Sequence, residues 1–576
     1  MNVNLLVFAK SEAARRRMPS LAEQARGFLF RIFGHDDPDI VLDEDSIIYN
    51  SNSMERTWQV PAMLTGPWGC LSFSMPPVPL TTEVATESWA DAVKRLTVTE
   101  FHPEQLSPNY FGILKSNGKF QVWTDHVGVG RCYVIDNDDF IAISNHIGVL
   151  TLFSAEPIRV DEDAVAKFIH FGWFTGDTTP LTGIRRVPPA TQIQIDEGGV
   201  RWSRYMDLSE IYAENDEKPN FDAAVEQMML VDRNLDSIVN ATPTVFLSGG
   251  QDSRMTAATW LAGGASARVL SYGDLAREAE IASELIRLYS EDHDLNEQGV
   301  THEVKLQSQT TVTMPVQERL TNAFDMWDGD APPVKIRNAV RPLNPKSFSV
   351  SGLGGEIIHG HYYSNDRRRK QVESGGAPLS VLERVFCNSK VATTEAAKSV
   401  EGFMDRKAEE YSALNLDRYG SLDYFFLEER MRRGAPQSLH TVSPVPLCVP
   451  NFQRMAFRLT PDERVSRRGV KELVSRAIPK WSNVPTYKPT KEETSKDMKK
   501  GNRIWMTDPD YFYHRLSSPD QWDRYLDASV ISDNLKLIGT AEMTQMYESR
   551  FTFALWIDYL YEHAKGLERN RIRSST

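Results

Sequence analysis

The residues best suited to chemistry stand in one short string, Ser248-Gly249-Gly250-Gln251-Asp252-Ser253. It follows the apolar run Thr244-Val245-Phe246-Leu247 and precedes a helical stretch, Arg254 to Leu261. If the run is a strand of a parallel sheet, its carboxyl end faces the ligand crevice, and the next helix presents unpaired N–H groups with partial positive charge. The string is therefore built to hold an anion. Its glycines let backbone approach oxygen atoms, Ser248 and Ser253 add hydroxyl donors, and Asp252 supplies a hard oxygen ligand for the magnesium that accompanies a triphosphate. No GxxxxGK[ST] string competes with it. Downstream, Phe348-Ser349-Val350-Ser351-Gly352-Leu353-Gly354-Gly355-Glu356 is a second apolar run that ends in glycines and an acid.

Ser248 to Ser253 resembles the pyrophosphate loop of the asparagine synthetase and β-lactam synthetase family, which includes the macrolactam cyclases of lasso peptides. The resemblance implies cleavage of ATP between its α and β phosphates, leaving AMP on a substrate carboxylate. It implies a nucleotide site made of Leu247, Ser248, Gly249, Gly250, Asp252 and Ser253, with Ser271 and Tyr272 on the next strand and Gly352, Leu353 and Gly354 on the second glycine turn. In the family the second turn carries a further acidic magnesium ligand, and Glu356 occupies that place. Two carboxylates on neighbouring strand ends suit magnesium, which takes a few carboxylates plus phosphate oxygens. Some lactam-closing relatives have a tyrosine where Leu353 stands, and leucine neither takes nor relays a proton.

Other groups are expected to complete the site. In the helix Leu422 to Arg433, reading LDYFFLEERMRR, Glu428 and Glu429 are adjacent, so at most one faces a cleft; either is a candidate base for an incoming amine, with Tyr424 four residues before Glu428. The stretch Val484-Pro485-Thr486-Tyr487-Lys488-Pro489 resembles the family segment whose lysine contacts the α-phosphate and the leaving pyrophosphate, which makes Lys488 the candidate for electrostatic stabilisation.

These residues need a parallel sheet to position them. Strand, glycine turn, helix and a next strand at Ala267 to Tyr272 begin a doubly wound α/β domain, expected over 206–576. It is preceded by an amphipathic helix with Phe221, Ala224, Val225, Met228, Val231, Leu235 and Ile238 on one face, and by a polar linker at 206–220. Residues 1–205 read instead as short alternating strands, at 120–124, 131–135, 140–144 and 191–195, with a helix over 161–171 capped near Asp163. This half resembles the family's glutamine amidotransferase domain, an Ntn-hydrolase-like α+β sandwich, through Asn109-Tyr110-Phe111-Gly112, Asp125 to Val129, Ser144-Asn145-His146, Phe171-Gly172-Trp173 and Leu181 to Ile184. A working glutaminase of that kind uses the thiol of an N-terminal cysteine. Here Met1 is followed by Asn2, and no cysteine precedes Cys70. Loss of a nucleophile costs on the order of 10⁶ in turnover, so the domain is expected to be silent and to support its neighbour.

Composition bounds the rest. With 576 residues, 41% apolar and 25% charged, the chain is of ordinary globular type and large enough for two domains. A formal charge of −13 disfavours nucleic acid, although Arg15 to Arg17 and Arg367 to Lys370 are locally basic. Cys70, Cys132, Cys387 and Cys448 form no CxxC pair and are expected to be reduced and buried. No segment is long enough for a membrane span or a secretory leader, so a cytoplasmic location is expected.

The expected function is an ATP- and magnesium-dependent synthetase that adenylates a carboxylate and passes it to an amine. Its substrate would be a small molecule or peptide bearing both groups, and ring closure would bring a precursor peptide and a processing protease as partners. A peptide would account for the insertion between Tyr363 and Leu422. The alternatives are an asparagine synthetase using aspartate and free ammonia, and a catalytically silent nucleotide-binding assembly protein.

Overall fold

The structure is a computed structural model and describes residues 2–33, 38–51, 57–213, 215, 217–273, 276–306, 314–330, 348–350, 352–374, 379–382, 392–434, 442–488, 490, 508–518, 520–537 and 545–575. Ser351, Cys387, Pro489 and the charged stretch 491–502 lie outside them.

Up to Arg204 the chain builds two antiparallel sheets. The first contains β1 (Asn4–Ala9), β2 (Asp39–Leu42), β3 (Ser46–Asn50), β8 (Tyr133–Asp136), β9 (Phe140–Ser144) and β10 (Arg185–Arg186), in the order β10-β8-β9-β1-β3-β2. The second contains β4 (Met63–Gly66), β5 (Gly69–Phe73), β6 (Phe111–Ser116), β7 (Lys119–Thr124), β11 (Thr191–Asp196) and β12 (Gly199–Arg204), in the order β12-β11-β7-β6-β5-β4. Side chains alternate between faces along a strand, so register decides what each core receives. Leu6 lies opposite Ile48 and Ile143. These three meet Phe111, Ile113, Phe120, Val122, Ile193 and Ile195 of the other sheet in a shared apolar layer. Leu5, Val7, Ile47 and Tyr49 face the opposite way, onto the helices Glu12–Phe33, Glu162–Phe171 and Gln545–Ser575. The outer face of the second sheet, with Leu71, Phe73, Leu114 and Trp123, runs into the core of the C-terminal half. The N-terminal half is therefore an α+β sandwich.

Two readings need correction here. The helix Glu162–Phe171 is capped by Asp161, whose side chain accepts from the Ala164 N–H, and Asp163 lies inside the first turn. The acidic stretch 206–220 is not a bare linker, because Leu208, Ile211 and Tyr212 are buried, and Tyr212 packs against Tyr424 and Phe457. Its apolar residues outweigh its charged surroundings.

The second half holds a parallel sheet of β13 (Thr244–Phe246), β14 (Ala267–Tyr272), β15 (Val300–Lys305) and β16 (Ser349–Val350), in the order β15-β14-β13-β16. Val245 pairs with Val269 on one side and Val350 on the other. The helix Phe221–Ile238, capped by Asn220, lies beside the helix Asp252–Ala262, and both pack into the same core. The chain is thus mixed α/β. Among the described residues no helix is long and apolar enough to cross a membrane.

Candidate active site

Because β13 and β16 are parallel neighbours, the turns that follow them emerge side by side. Gly352 shows how closely: a Cβ there would stand 2.3 Å from the carbonyl carbon of Asp252 and 2.4 Å from the Ser253 nitrogen. A Cβ on Gly355 would lie 2.6 Å from Asp252 Oδ1. The Asp252 carboxylate therefore rests on the backbone one residue before Glu356. Burial and repulsion from Asp252 push the Glu356 carboxyl up to about 7, and the Gly354 N–H donates to its Oε2 at 3.1 Å. A carboxyl raised by burial and by a neighbouring carboxylate marks a place where a divalent cation would be stabilising. Among the described residues no group of three or more His, Cys, Asp or Glu side chains could hold a metal unaided; magnesium bound through one or two carboxylates and phosphate oxygens does not require one.

The Ser248–Ser253 loop is internally wired. Ser248 N–H donates to Ser253 Oγ at 3.1 Å, the two hydroxyls lie 2.9 Å apart, and Gly250 N–H donates to Ser248 Oγ at 3.0 Å. Ser271 Oγ donates to the Leu247 carbonyl at 2.7 Å and lies 3.0 Å from His302 Nε2, while Tyr272 stacks on Phe246. Ser271 therefore fixes the strand end, and Tyr272 forms part of the sheet surface.

The segment before Lys488 is bound to this loop. Tyr487 N–H donates to the Gly249 carbonyl at 2.8 Å, and Arg254 donates to the carbonyls of Val484 at 2.6 Å and Pro485 at 2.9 Å. Only glycine permits the approach at 249, since a Cβ would meet Tyr487 Cβ at 2.6 Å. Lys488 follows directly and is exposed. The sequence pointed to Lys488 but not to Arg254, which reads as an ordinary first-turn helix residue.

His359 and Arg467 are further residues the sequence did not reveal. His359 Nε2 lies 3.2 Å from Asp252 Oδ1. Arg467, at φ 64°, donates to the His359 carbonyl at 3.5 Å; burial draws its guanidinium pKa down while the Asp252 charge opposes this. The sequence marks Arg467 only as part of the basic Arg467, Arg468 and Lys471 group before the Lys488 segment, and the His359-Gly360-His361 triplet just beyond Glu356 is the signal for His359.

Glu428 and Glu429 depart from expectation. The helix does not run straight from Leu422 to Arg433; it is α-helical over Arg418–Phe425 and widens to a π-helical turn over Phe426–Met431. In an α-helix neighbours diverge by about 100°, yet here both carboxylates reach Lys407, at 3.0 and 3.4 Å. Both are buried, Glu428 at 6% and Glu429 at 0% exposure. Tyr411, not Tyr424, donates to Glu428 at 2.7 Å. Burial raises the Glu428 pKa, but Lys407 and Arg432 outweigh it and hold that carboxyl below its usual range, whereas burial and the Glu428 charge raise Glu429. Neither faces an open cleft.

Glu429 instead accepts from the Gly176 N–H at 3.1 and 2.9 Å, and this contact is one of a series between the two halves. Asn109 Nδ2 donates to the Ser443 carbonyl at 2.8 Å, His126 Nε2 lies 3.0 Å from the Cys448 carbonyl, and Arg186 donates to the Arg432 carbonyl at 2.9 Å. Asn109 and His126 of the N-terminal motifs, with Gly176 and Arg186, thus meet residues 429–432 and 443–448. Those segments back the second glycine turn, because a Cβ on Gly354 would meet Cys448 Sγ at 2.8 Å and Met431 Sδ at 3.4 Å.

Both described cysteines of the N-terminal half, Cys70 and Cys132, are buried and held from ionising. Burial, with the charge of Asp39, pushes the Cys70 thiol up to about 11, and burial raises Cys132 further. Asn2 is buried, donating its N–H to the Ser74 carbonyl at 2.9 Å and accepting from Asn145 Nδ2 at 2.8 Å.

Neither a protein-family model nor any curated protein matches the chain. Among solved structures, a glutamine phosphoribosylpyrophosphate amidotransferase from B. subtilis, complexed with ADP and GMP, aligns at 13% identity with a TM-score of 0.23, covering 54% of this chain and 83% of that one. A structure described as the allosteric regulatory enzyme of purine biosynthesis aligns at 12% identity with a TM-score of 0.24, covering 55% and 82%. At these scores the likeness is faint, and the site must be read from its own geometry.

Proposed function

We propose that the chain is an ATP-dependent carbon–nitrogen ligase that releases AMP and pyrophosphate. The observation that carries this reading is the juxtaposition of Asp252 and Glu356 at the tips of adjacent parallel strands, over a loop of small residues and hydroxyls.

In this reading the triphosphate lies on Ser248–Ser253, where N–H and hydroxyl donors meet its oxygens. Asp252 and Glu356 would hold magnesium, which neutralises charge on the phosphate tail and on the departing pyrophosphate. A substrate carboxylate oxygen bonds to the α-phosphorus, and the α–β phosphoanhydride breaks with its electron pair leaving on pyrophosphate. Lys488, carried by the segment tied to Gly249, meets the charge that grows there. An amine then attacks the acyl carbon and expels AMP, its proton passing to the AMP phosphate. Because Glu428 and Glu429 are enclosed by Lys407, Tyr411 and Gly176, they act as supports of the site and not as the base. The N-terminal half contributes by bracing residues 429–432 and 443–448 behind the second glycine turn, with no glutamine hydrolysis of its own.

The test is calorimetry with the non-hydrolysable analogue α,β-methylene-ATP. Magnesium-dependent binding that Asp252→Asn abolishes is expected; absence of magnesium-dependent binding by the unaltered protein would sink the reading. Binding without AMP release on any amine-bearing acid would mark a silent nucleotide-binding protein instead.

A further inference from the structure

The segment Glu356-Ile357-Ile358-His359 runs polar, apolar, apolar, polar, which is the period of the short helix it forms. Residues Gly355–His359 make a 3₁₀ turn, in which side chains three apart lie over one another. Ile357 and Ile358 are buried in the core. Glu356 and His359 are thereby left to share the remaining side, and His359 Nε2 reaches Asp252 from it.

The two oxygens of Asp252 are treated unequally. Oδ1 lies 3.2 Å from His359 Nε2 and would stand 2.6 Å from a Cβ on Gly355, so it is pressed between the imidazole and the turn. Among the described residues no hydrogen bond or ion pair reaches Oδ2. The Asp252 side chain keeps 31% of its surface exposed, against 13% for His359. One carboxylate oxygen is tied to a wall, and the other is open.

The proton of the imidazole can also be placed. An ionised carboxylate only accepts, so the contact is attractive when Nε2 carries the hydrogen; in a neutral ring Nδ1 is then bare. This agrees with the surroundings, because His359 Nδ1 is buried and has no hydrogen-bond partner among the described residues. His359 therefore donates to Asp252, while Arg467 donates to the His359 carbonyl at 3.5 Å and steadies its backbone. Among the described residues no three His, Cys, Asp or Glu side chains form a set that could hold a metal, so His359 is not a third ligand beside Asp252 and Glu356.

We infer that His359 is a positioning residue for the nucleotide's cation: by holding Oδ1 it fixes the Asp252 carboxylate with Oδ2 free to meet the metal. The inference rests on the ligase reading, in which Asp252 and Glu356 are the metal ligands. Partners that orient a ligating group in this way set metal affinity by about 10–100-fold.

The experiment uses the full chain, α,β-methylene-ATP and Mn²⁺, which takes the same oxygen ligands as magnesium and whose free form is read by electron paramagnetic resonance. His359→Leu, which keeps the bulk and loses the N–H, should weaken Mn²⁺ binding by about 10–100-fold. His359→Gln, whose amide can donate to the same oxygen, should stay within about three-fold of the unaltered protein. Melting temperatures without metal should agree among the three. Unchanged affinity in His359→Leu would overturn the inference, as would equal weakening in both variants, since the donated hydrogen would then not matter. A pulsed measurement on the unaltered protein needs no variant: an imidazole nitrogen bonded directly to Mn²⁺ would overturn the inference, because His359 would then be a ligand. If the unaltered protein binds no Mn²⁺ with the analogue, the ligase reading falls and takes this inference with it; binding that all three proteins share equally removes only the role of His359.

Discussion

The antiparallel sandwich and the tips of the parallel sheet use polar groups in opposite ways. In the sandwich, polar side chains near Asn2 are turned inward and spend their hydrogen bonds on one another: Asn4 N–H on Asn145, Val3 N–H on Ser51, Ser72 on Asn4 and Asn50 on Ser72. At the parallel sheet, Asp252, Glu356, His359 and Arg467 gather where the chain opens, and their charges oppose or only partly cancel one another. A polar interior that is mostly hydrogen-bonded, Asn4 Nδ2 excepted, specifies a fold; reachable, electrostatically strained groups are what a ligand or a transition state can relieve. Under the proposed reading, the contrast explains how one half can keep buried polar residues and still serve as a brace for the other.

The largest effect expected from breaking this contrast is at Asp252. Once an acid substrate is in hand, Asp252→Asn should lower pyrophosphate–ATP exchange by about 10³-fold or more, with little change in melting temperature. A variant that kept over about a tenth of the rate would place the chemistry elsewhere.

Next comes the brace. Lys407→Met removes the one cation within ion-pair distance of both Glu428 and Glu429, leaving Arg432 and Arg433 farther off, and should cost about 3–5 kcal/mol in denaturant unfolding, because removing one partner of a buried ion pair strands the others. Adding Glu428→Gln and Glu429→Gln should recover much of it. A loss under about 1 kcal/mol, the range of exposed pairs, would mean the network is wetter than its geometry indicates.

A smaller, pH-dependent effect belongs to Glu356. A carboxyl raised from 4.5 to about 7 binds its proton more tightly in the folded state. Its contribution is therefore present at low pH and is lost as pH rises through that window. Glu356→Gln removes the loss. Without magnesium, the melting temperature of the variant relative to the unaltered protein should rise by about 1–3 °C between about pH 5 and pH 8. A flat or falling difference would show that Asp252 and Glu356 do not repel. The smallest effect is at Cys70: Cys70→Ser should leave AMP formation within about two-fold, as for a residue outside the chemistry, and glutamine should supply no nitrogen to either protein.

The glycine loops were legible because their chemistry is local. A strand, small residues and a following helix within about ten positions fix a strand–turn–helix frame whatever surrounds them, and the same locality made β14 readable from Ala267 to Tyr272. What failed depended on distance or on a change of helical pitch. The partners of Glu428 and Glu429 come from Lys407 and Tyr411 on a separate helix and from Gly176 in the other half. The π-helical turn that aims both acids at one lysine has no composition of its own. Asp161 and Asp163 are equally good caps on paper, and only backbone geometry decides between them. Arg467 and His359 were hidden because nothing in their spacing announces that they flank Asp252.

The helix Gln545–Ser575 packs against the helix Glu162–Phe171 and places Phe551, Trp556 and Leu560 in the core that includes Leu5 and Val7 of the first strand, Asn4–Ala9. At a translation rate of about 5–20 residues per second, roughly half a minute to two minutes separates synthesis of that strand from synthesis of its cover. During this interval that core, already covered by Glu12–Phe33 and Glu162–Phe171, lacks its last apolar wall, so nascent chains should be held by a chaperone, and mutations in a distant helix should show first as low yield rather than low activity.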